Sequence, residues 1–138
     1  MKQKNKSLVF HHNSIGHGRT TPKLLRILLT PEFTKIDFGY ITNSIYINGG
    51  WIKMASTTFI ENTITKERFI LTKAEGIPLA PTKHNFKSQK DWRYFSLYFP
   101  PIPQENCVLN IIEKINGTPN DFNYYAVELK ITDGIEIV

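Results

Sequence analysis

The sequence predicts an all-β fold, a sandwich or barrel of about seven or eight short antiparallel strands. Three observations carry that reading. Trp92 to Phe99 alternates strictly: Phe95, Leu97 and Phe99 fall on one side, Tyr94, Ser96 and Tyr98 on the other. That is the two-residue period of a half-buried strand, and its aromatic composition suits one. Turn signals recur roughly every ten residues. No segment sustains a convincing helical period.

Residues 1–22 read as a flexible basic arm of Lys, Asn, Ser, Gly and His without a sustained period, and 23–138 as a single sandwich domain. Lys23 to Thr30 is open to two readings. A helix would start at Thr21 and Pro22 and align Leu24, Leu25 and Leu28. A strand would turn Leu25, Ile27 and Leu29 inward. Pro31 leaves room for only about two helical turns, which is marginal, so the strand is preferred.

Phe33 to Ile41 alternates cleanly, with Ile36, Phe38 and Tyr40 opposite Lys35, Asp37 and Gly39. Asn48-Gly49-Gly50 signals a turn, since Asn and Gly accept positive φ at low cost. Trp51 to Met54, Thr57 to Glu61 and Arg68 to Lys73 follow as short strands. Residues 74–91 read as a long connection broken by Gly76, Pro78 and Pro81. Pro100, Pro101 and Pro103 stop the central strand, because proline donates nothing to a ladder. Val108 to Glu113 and Tyr124 to Ile131 complete the set, the latter with Tyr125, Val127, Leu129 and Ile131 on one face. The expected core is Phe38, Trp51, Phe59, Phe69, Phe95, Leu97, Phe99, Ile111 and Val127.

The formal charge is +5, from 17 basic and 12 acidic residues. Its distribution is uneven. Lys2, Lys4, Lys6, Arg19, Lys23 and Arg26 precede any acid, leaving eleven basic residues against all twelve acidic ones in the remainder. The basicity therefore belongs to the arm and the first element, and a nucleic-acid partner is not expected. Cys107 is the only cysteine, which excludes an internal disulfide and a cysteine-rich zinc site. The longest early apolar run, Leu8-Val9-Phe10, is far too short for a signal-peptide core or a membrane span, so a soluble chain is expected.

Five segments in order carry a resemblance: Gly50-Trp51-Ile52-Lys53, Thr58-Phe59-Ile60-Glu61, Lys73-Ala74-Glu75-Gly76-Ile77-Pro78-Leu79, Phe99-Pro100-Pro101-Ile102-Pro103 and Ile111-Ile112-Glu113. Together they resemble an immunoglobulin-like accessory β-domain of Bacteroidetes proteins, over residues 24–131. The resemblance implies an immunoglobulin-like β-sandwich with no catalytic residues of its own, often beside a thioredoxin-like or protease-like domain. With neither an exported leader nor a second domain recognised here, the expectation is a stand-alone version or a fragment. An envelope or secreted location would follow only if a leader had been removed.

Each chemical candidate has a plainer reading. His11, His12 and His17 lie close together, but adjacent histidines in an arm have little preorganisation for a metal, and the nearest acid is Glu32. Gly16-His17-Gly18-Arg19-Thr20-Thr21 lacks the lysine and spacing of a phosphate loop. Cys107 has no activating motif and reads as a semi-buried thiol. Glu61, Glu75 and Glu113 share no local pattern that would pair them as acid and base. No catalytic residue, metal ligand or cofactor is assigned, and the chain is not read as an enzyme. The remaining candidate is aromatic: Trp92, Tyr94 and Tyr98 on the outward side of the central strand. Such a row anchors a protein partner or stacks on sugars, with Asn85 or Gln89 flanking it in the second case. The expected function is a non-enzymatic interaction domain that binds protein, with a carbohydrate-binding module as the alternative.

Overall fold

The computed structural model describes residues 6–15, 22–41, 50–86, 92–115 and 121–137; the side chains of Trp51 and Trp92 lie outside that description. In chain order the strands are β1 (Ser7–Ile15), β2 (Lys23–Leu29), β3 (Thr34–Ile41), β4 (Gly50–Ile52), β5 (Phe59–Asn62), β6 (Arg68–Ile70), β7 (Lys73–Glu75), β8 (His84–Phe86), β9 (Trp92–Phe99), β10 (Cys107–Ile112), β11 (Tyr124–Leu129) and β12 (Ile135–Ile137). They form an all-β sandwich. One sheet has six strands in the order β12-β1-β2-β3-β9-β7, the other four in the order β11-β10-β5-β6, and β4 pairs with β8 apart from both. All these strand pairs are antiparallel. Among the described residues no helix is long and apolar enough to cross a membrane.

The alternating strands dictate where the core sits. In the β3–β9 ladder Ile36 faces Leu97 and Phe38 faces Phe95, and the two phenylalanine rings stack at 5.0 Å. Leu24, Ile27 and Leu29 of β2 join them from one sheet; Ile60, Leu109, Ile111 and Val127 come from the other. Burying each such side chain contributes about 1.5–3 kcal/mol. Phe38, Phe59, Phe95, Leu97, Phe99, Ile111 and Val127 are buried as expected, while Phe69 is only partly so. β9 ends at Phe99, where the prolines begin, and the Pro100 carbonyl accepts a 3.0 Å bond from the Thr34 hydroxyl.

The strands number twelve among the described residues rather than seven or eight, β8 lies inside the expected connection of 74–91, and four further features depart from the sequence reading. Ser7–Ile15, inside the expected arm of 1–22, form β1, whose Leu8 and Phe10 are buried. Only two apolar residues mark its inward side before a register shift between His11 and Ser14, too short a pattern to stand out. Lys23–Leu29 is a strand, but a bulge between Leu24 and Arg26 turns Leu24, not Leu25, into the core. A second irregularity, with Ala126 at φ 56°, buries Tyr124 and leaves Tyr125 exposed, the reverse of strict alternation. The Ala126 N–H finds its partner in the Asn110 side chain at 2.9 Å.

The fourth departure is that Arg68 to Lys73 does not make one strand. The Leu71 N–H bonds the Thr58 carbonyl at 2.8 Å, and the next N–H, of Thr72, bonds the Tyr98 carbonyl at 2.8 Å. The chain thus crosses from the four-stranded sheet to the six-stranded one between adjacent residues, giving β6 and β7. This corner brings Lys73 and Glu75 alongside β9.

Candidate functional site

The outward face of the six-stranded sheet follows from the register. One row across it is Ile135–Val9–Leu28–Lys35–Tyr98–Lys73, and the next is His11–Arg26–Asp37–Ser96–Glu75. Beyond these, Lys23 pairs with Gly39, and Gly39 with Tyr94. Tyr94 and Tyr98 therefore lie four residues apart on one strand face, about 13 Å at the usual rise. The expected placement of these two outward aromatics is the one found. Trp92 continues β9 opposite Ile41, but its side chain is outside the described residues.

Asp37 is the centre of this face and was missed as a site residue. It sits mid-strand in a central ladder and is only 3 % exposed. A carboxylate so placed needs partners, since burying an unpaired charge is expensive. Arg26 Nε donates to Asp37 Oδ2 at 2.7 Å, Ser96 Oγ donates to Oδ1 at 2.6 Å, and Lys35 Nζ lies 3.8 Å from Oδ1. Burial pushes the carboxyl up, but the bonds from Ser96 and Arg26 and the Lys35 charge outweigh it and hold Asp37 below its usual range. The sequence did carry a signal: aspartate is depleted in strands, and here it interrupts Ile36 and Phe38 in a strand bounded by apolar residues.

The two tyrosines are tied into this wiring. Arg26 Nη2 donates to the Tyr94 hydroxyl at 2.6 Å, so one guanidinium bridges Asp37 and Tyr94. Burial and the neighbouring Asp37 charge raise the Tyr94 phenol. Tyr98 donates to Glu75 Oε1 at 2.7 Å, and Lys73 Nζ reaches Glu75 Oε2 at 3.1 Å. The bond to Glu75, with its charge, pushes Tyr98 up to about 12. Lys73 and Lys35 stand 4.9 and 5.8 Å from the Tyr98 ring centroid, and Phe33 meets the ring edge-on at 5.5 Å. Tyr94 retains the more open ring, 42 % exposed.

Two glycines shape the surroundings. A Cβ on Gly39 would stand 3.3 Å from Leu25 Cδ1, so the missing side chain lets Leu25 fold over β3 beside Tyr94. Gly76, at φ +85°, passes so close to β9 that a Cβ would lie 2.6 Å from the Tyr94 carbonyl oxygen. Its own carbonyl accepts a 2.6 Å bond from Arg93 Nε. Arg93 is thus held at the strand end, opposite Tyr40 and away from the Tyr94 face.

The other sequence candidates are not brought together. Glu61 pairs with Arg68 at 3.2 Å on the four-stranded sheet, and Glu75 belongs to the tyrosine face. Glu113 accepts the Ala55 and Phe122 N–H groups at 2.9 and 2.8 Å, and burial raises its carboxyl. Cys107 is half-buried beside a cavity of about 90 Å³ lined by Asn62, Glu67, Phe69, Ile102 and Leu109. Burial and the Glu105 charge raise its thiol, which disfavours the nucleophilic thiolate. His11 is exposed on β1 and His12 half-buried, its imidazole lowered by burial. His17 and the Gly16 to Thr21 segment lie outside the described residues, as does Gln89. Asn85 lies in the β4–β8 ladder rather than on a strand neighbouring β9. Among the described residues no three His, Cys, Asp or Glu side chains form a group able to hold a metal ion.

Neither a protein family, nor a curated protein, nor a solved structure matches the chain.

Proposed function

We propose that the chain is a non-enzymatic interaction domain, an accessory sandwich of the immunoglobulin-like kind, that docks a protein on the outward face of its six-stranded sheet. The observation that carries this reading is the exposed Tyr94 ring held by Arg26, which the buried Asp37 anchors in turn. An aromatic residue fixed before binding loses little conformational freedom when a partner arrives, which is what an anchor residue requires. The carbohydrate alternative draws on the same ring. It has less support at Tyr98, where two ammonium groups and the Phe33 ring already surround the side chain that a sugar would stack on.

A photo-crosslinking amino acid installed at position 94, and separately at position 125, tests the reading in extracts of the source cells. Tyr125 is also exposed but lies on the other sheet. The expected result is a discrete protein adduct from position 94 and none from position 125. Equal labelling from both positions, or adducts with glycan alone, overturns it.

A further inference from the structure

We infer that the partner segment on this face is an acidic polypeptide carrying aliphatic side chains, an inference that rests on the protein-docking reading. Two features of the face converge on it. The first is charge. The outward strand positions hold Lys23, Arg26, Lys35 and Lys73 against Asp37 and Glu75, and Asp37 is buried beneath its own partners. Four cations against two carboxylates leave these positions with a net positive charge, and the charge of Lys23 is matched by neither carboxylate. Counting by sequence segment hid this. Lys23 and Arg26, the two early basic residues assigned to the first element rather than to the arm, stand on β2, inside the sheet.

The second feature is an aliphatic strip beside the cations. Val9 and Leu28 are half-buried on the outward face, and Ile135 and Ile137 of the edge strand are 58 % and 48 % exposed. Ile135 pairs with Val9, and Val9 with Leu28, so the strip is continuous across three strands and ends at Lys35. Cations alone would suit any polyanion. Phosphate backbones and sulfated glycans offer nothing to bury against Val9, Leu28 and Ile135, whereas an acidic peptide with leucine or valine between its carboxylates fits both halves. Tyr94 lies at the cationic end, where an anchor contact adds to the charge match.

The test measures binding of the intact protein to four probes by fluorescence anisotropy, with the site mapped by amide NMR shifts. The probes are a Glu/Asp-rich peptide with interspersed leucines, the same peptide with serine for leucine, oligothymidylate and a heparin fragment. The expected order puts the leucine-containing acidic peptide first, with shifts on β2, β3 and β9 and affinity that falls as salt rises. The double variant Lys23→Glu/Lys73→Glu should weaken that peptide at least about tenfold. Lys66→Glu/Lys114→Glu, in the loops after β5 and β10 of the four-stranded sheet, should not. NMR spectra of both variants establish that they are folded. Oligothymidylate or heparin binding as tightly as the peptide overturns the inference, as does equal affinity of the two double variants or no peptide binding. If the peptides fail while position 94 still crosslinks to a protein, the acidic partner falls and the docking face stands. Loss of both results removes both readings.

Discussion

Replacing Arg26 with Met keeps the length and apolar stem of the side chain and removes its guanidinium. Two hydrogen bonds go with it, at 2.7 Å to Asp37 and 2.6 Å to Tyr94. The first is charge-assisted and ends on a carboxylate side chain only 4 % exposed, so it contributes about 1.5–3 kcal/mol. The second ends on an exposed phenol that water can resolvate and adds less than about 1 kcal/mol. Breaking a fully buried pair costs about 3–5 kcal/mol. The Arg26 side chain is 42 % exposed, and Ser96 and Lys35 remain on Asp37. Discounting for that exposure, Arg26→Met should lose about 2–3 kcal/mol at neutral pH.

Urea unfolding followed by tryptophan fluorescence at a series of pH values measures this and carries a second signature. In the wild type the folded pKa of Asp37 lies below its ordinary 3.8. Its stabilisation is full above the unfolded value and is lost as pH falls through the folded one. Without Arg26, its hydrogen bond and its charge no longer lower the folded pKa, which rises relative to wild type. Acidification then costs the folded variant less than the wild type, and the stability gap between them must narrow as pH falls from about 7 towards 3. A gap below about 0.5 kcal/mol would place Arg26–Asp37 among ordinary surface pairs. A larger gap that stays flat with pH would mean the loss is packing, not charge. Either result refutes the wiring argument.

Two further outcomes follow from the same physics. Glu75→Gln removes the charge that holds the Tyr98 phenol near 12, so Tyr98 should titrate closer to the ordinary 10; NMR of labelled tyrosine rings reads it, and no movement would break the Tyr98–Glu75 assignment. Glu113→Ala leaves the Ala55 and Phe122 N–H groups without their acceptor, for a loss of about 2–4 kcal/mol. Burial puts the folded pKa of Glu113 above 4.5, so its contribution is full below that value and declines as pH rises through the folded one. The Glu113→Ala gap should therefore be wider near pH 4 than near pH 7 in denaturant titrations; the opposite slope would sink the reading.

What was legible in the sequence was whatever repeats with period two. β3 and β9 could be read directly, inward and outward residues alike, because their alternation runs unbroken for eight residues each. Tyr94 and Tyr98 came with them. Bulges defeat that logic: one extra residue at Leu25 or Ala126 exchanges the faces of everything beyond it, and no local residue type announces it. Three-residue strands such as β7 and β12 are shorter than any periodic signal. The Arg26–Asp37–Ser96 cluster joins β2, β3 and β9, and Ser96 lies 59 residues from Asp37. Only the sheet order brings them together.

The contribution of this face to the fold and its proposed part in docking rest on different side chains. Asp37 is covered by its own ligands, so its contribution to stability is present whether or not anything docks. Lys23 and Lys73 are exposed, and among the described residues neither is paired with a buried carboxylate. A face that existed only to bury Asp37 would need Arg26, Ser96 and Lys35 and would be indifferent to Lys23 and Lys73. A docking face needs the exposed pair as well. Arg26→Met should therefore act on stability through the pH-dependent term, while Lys23→Glu/Lys73→Glu acts on binding with little change in unfolding midpoint. Variants that both moved stability and left peptide affinity alone would reduce the face to internal wiring.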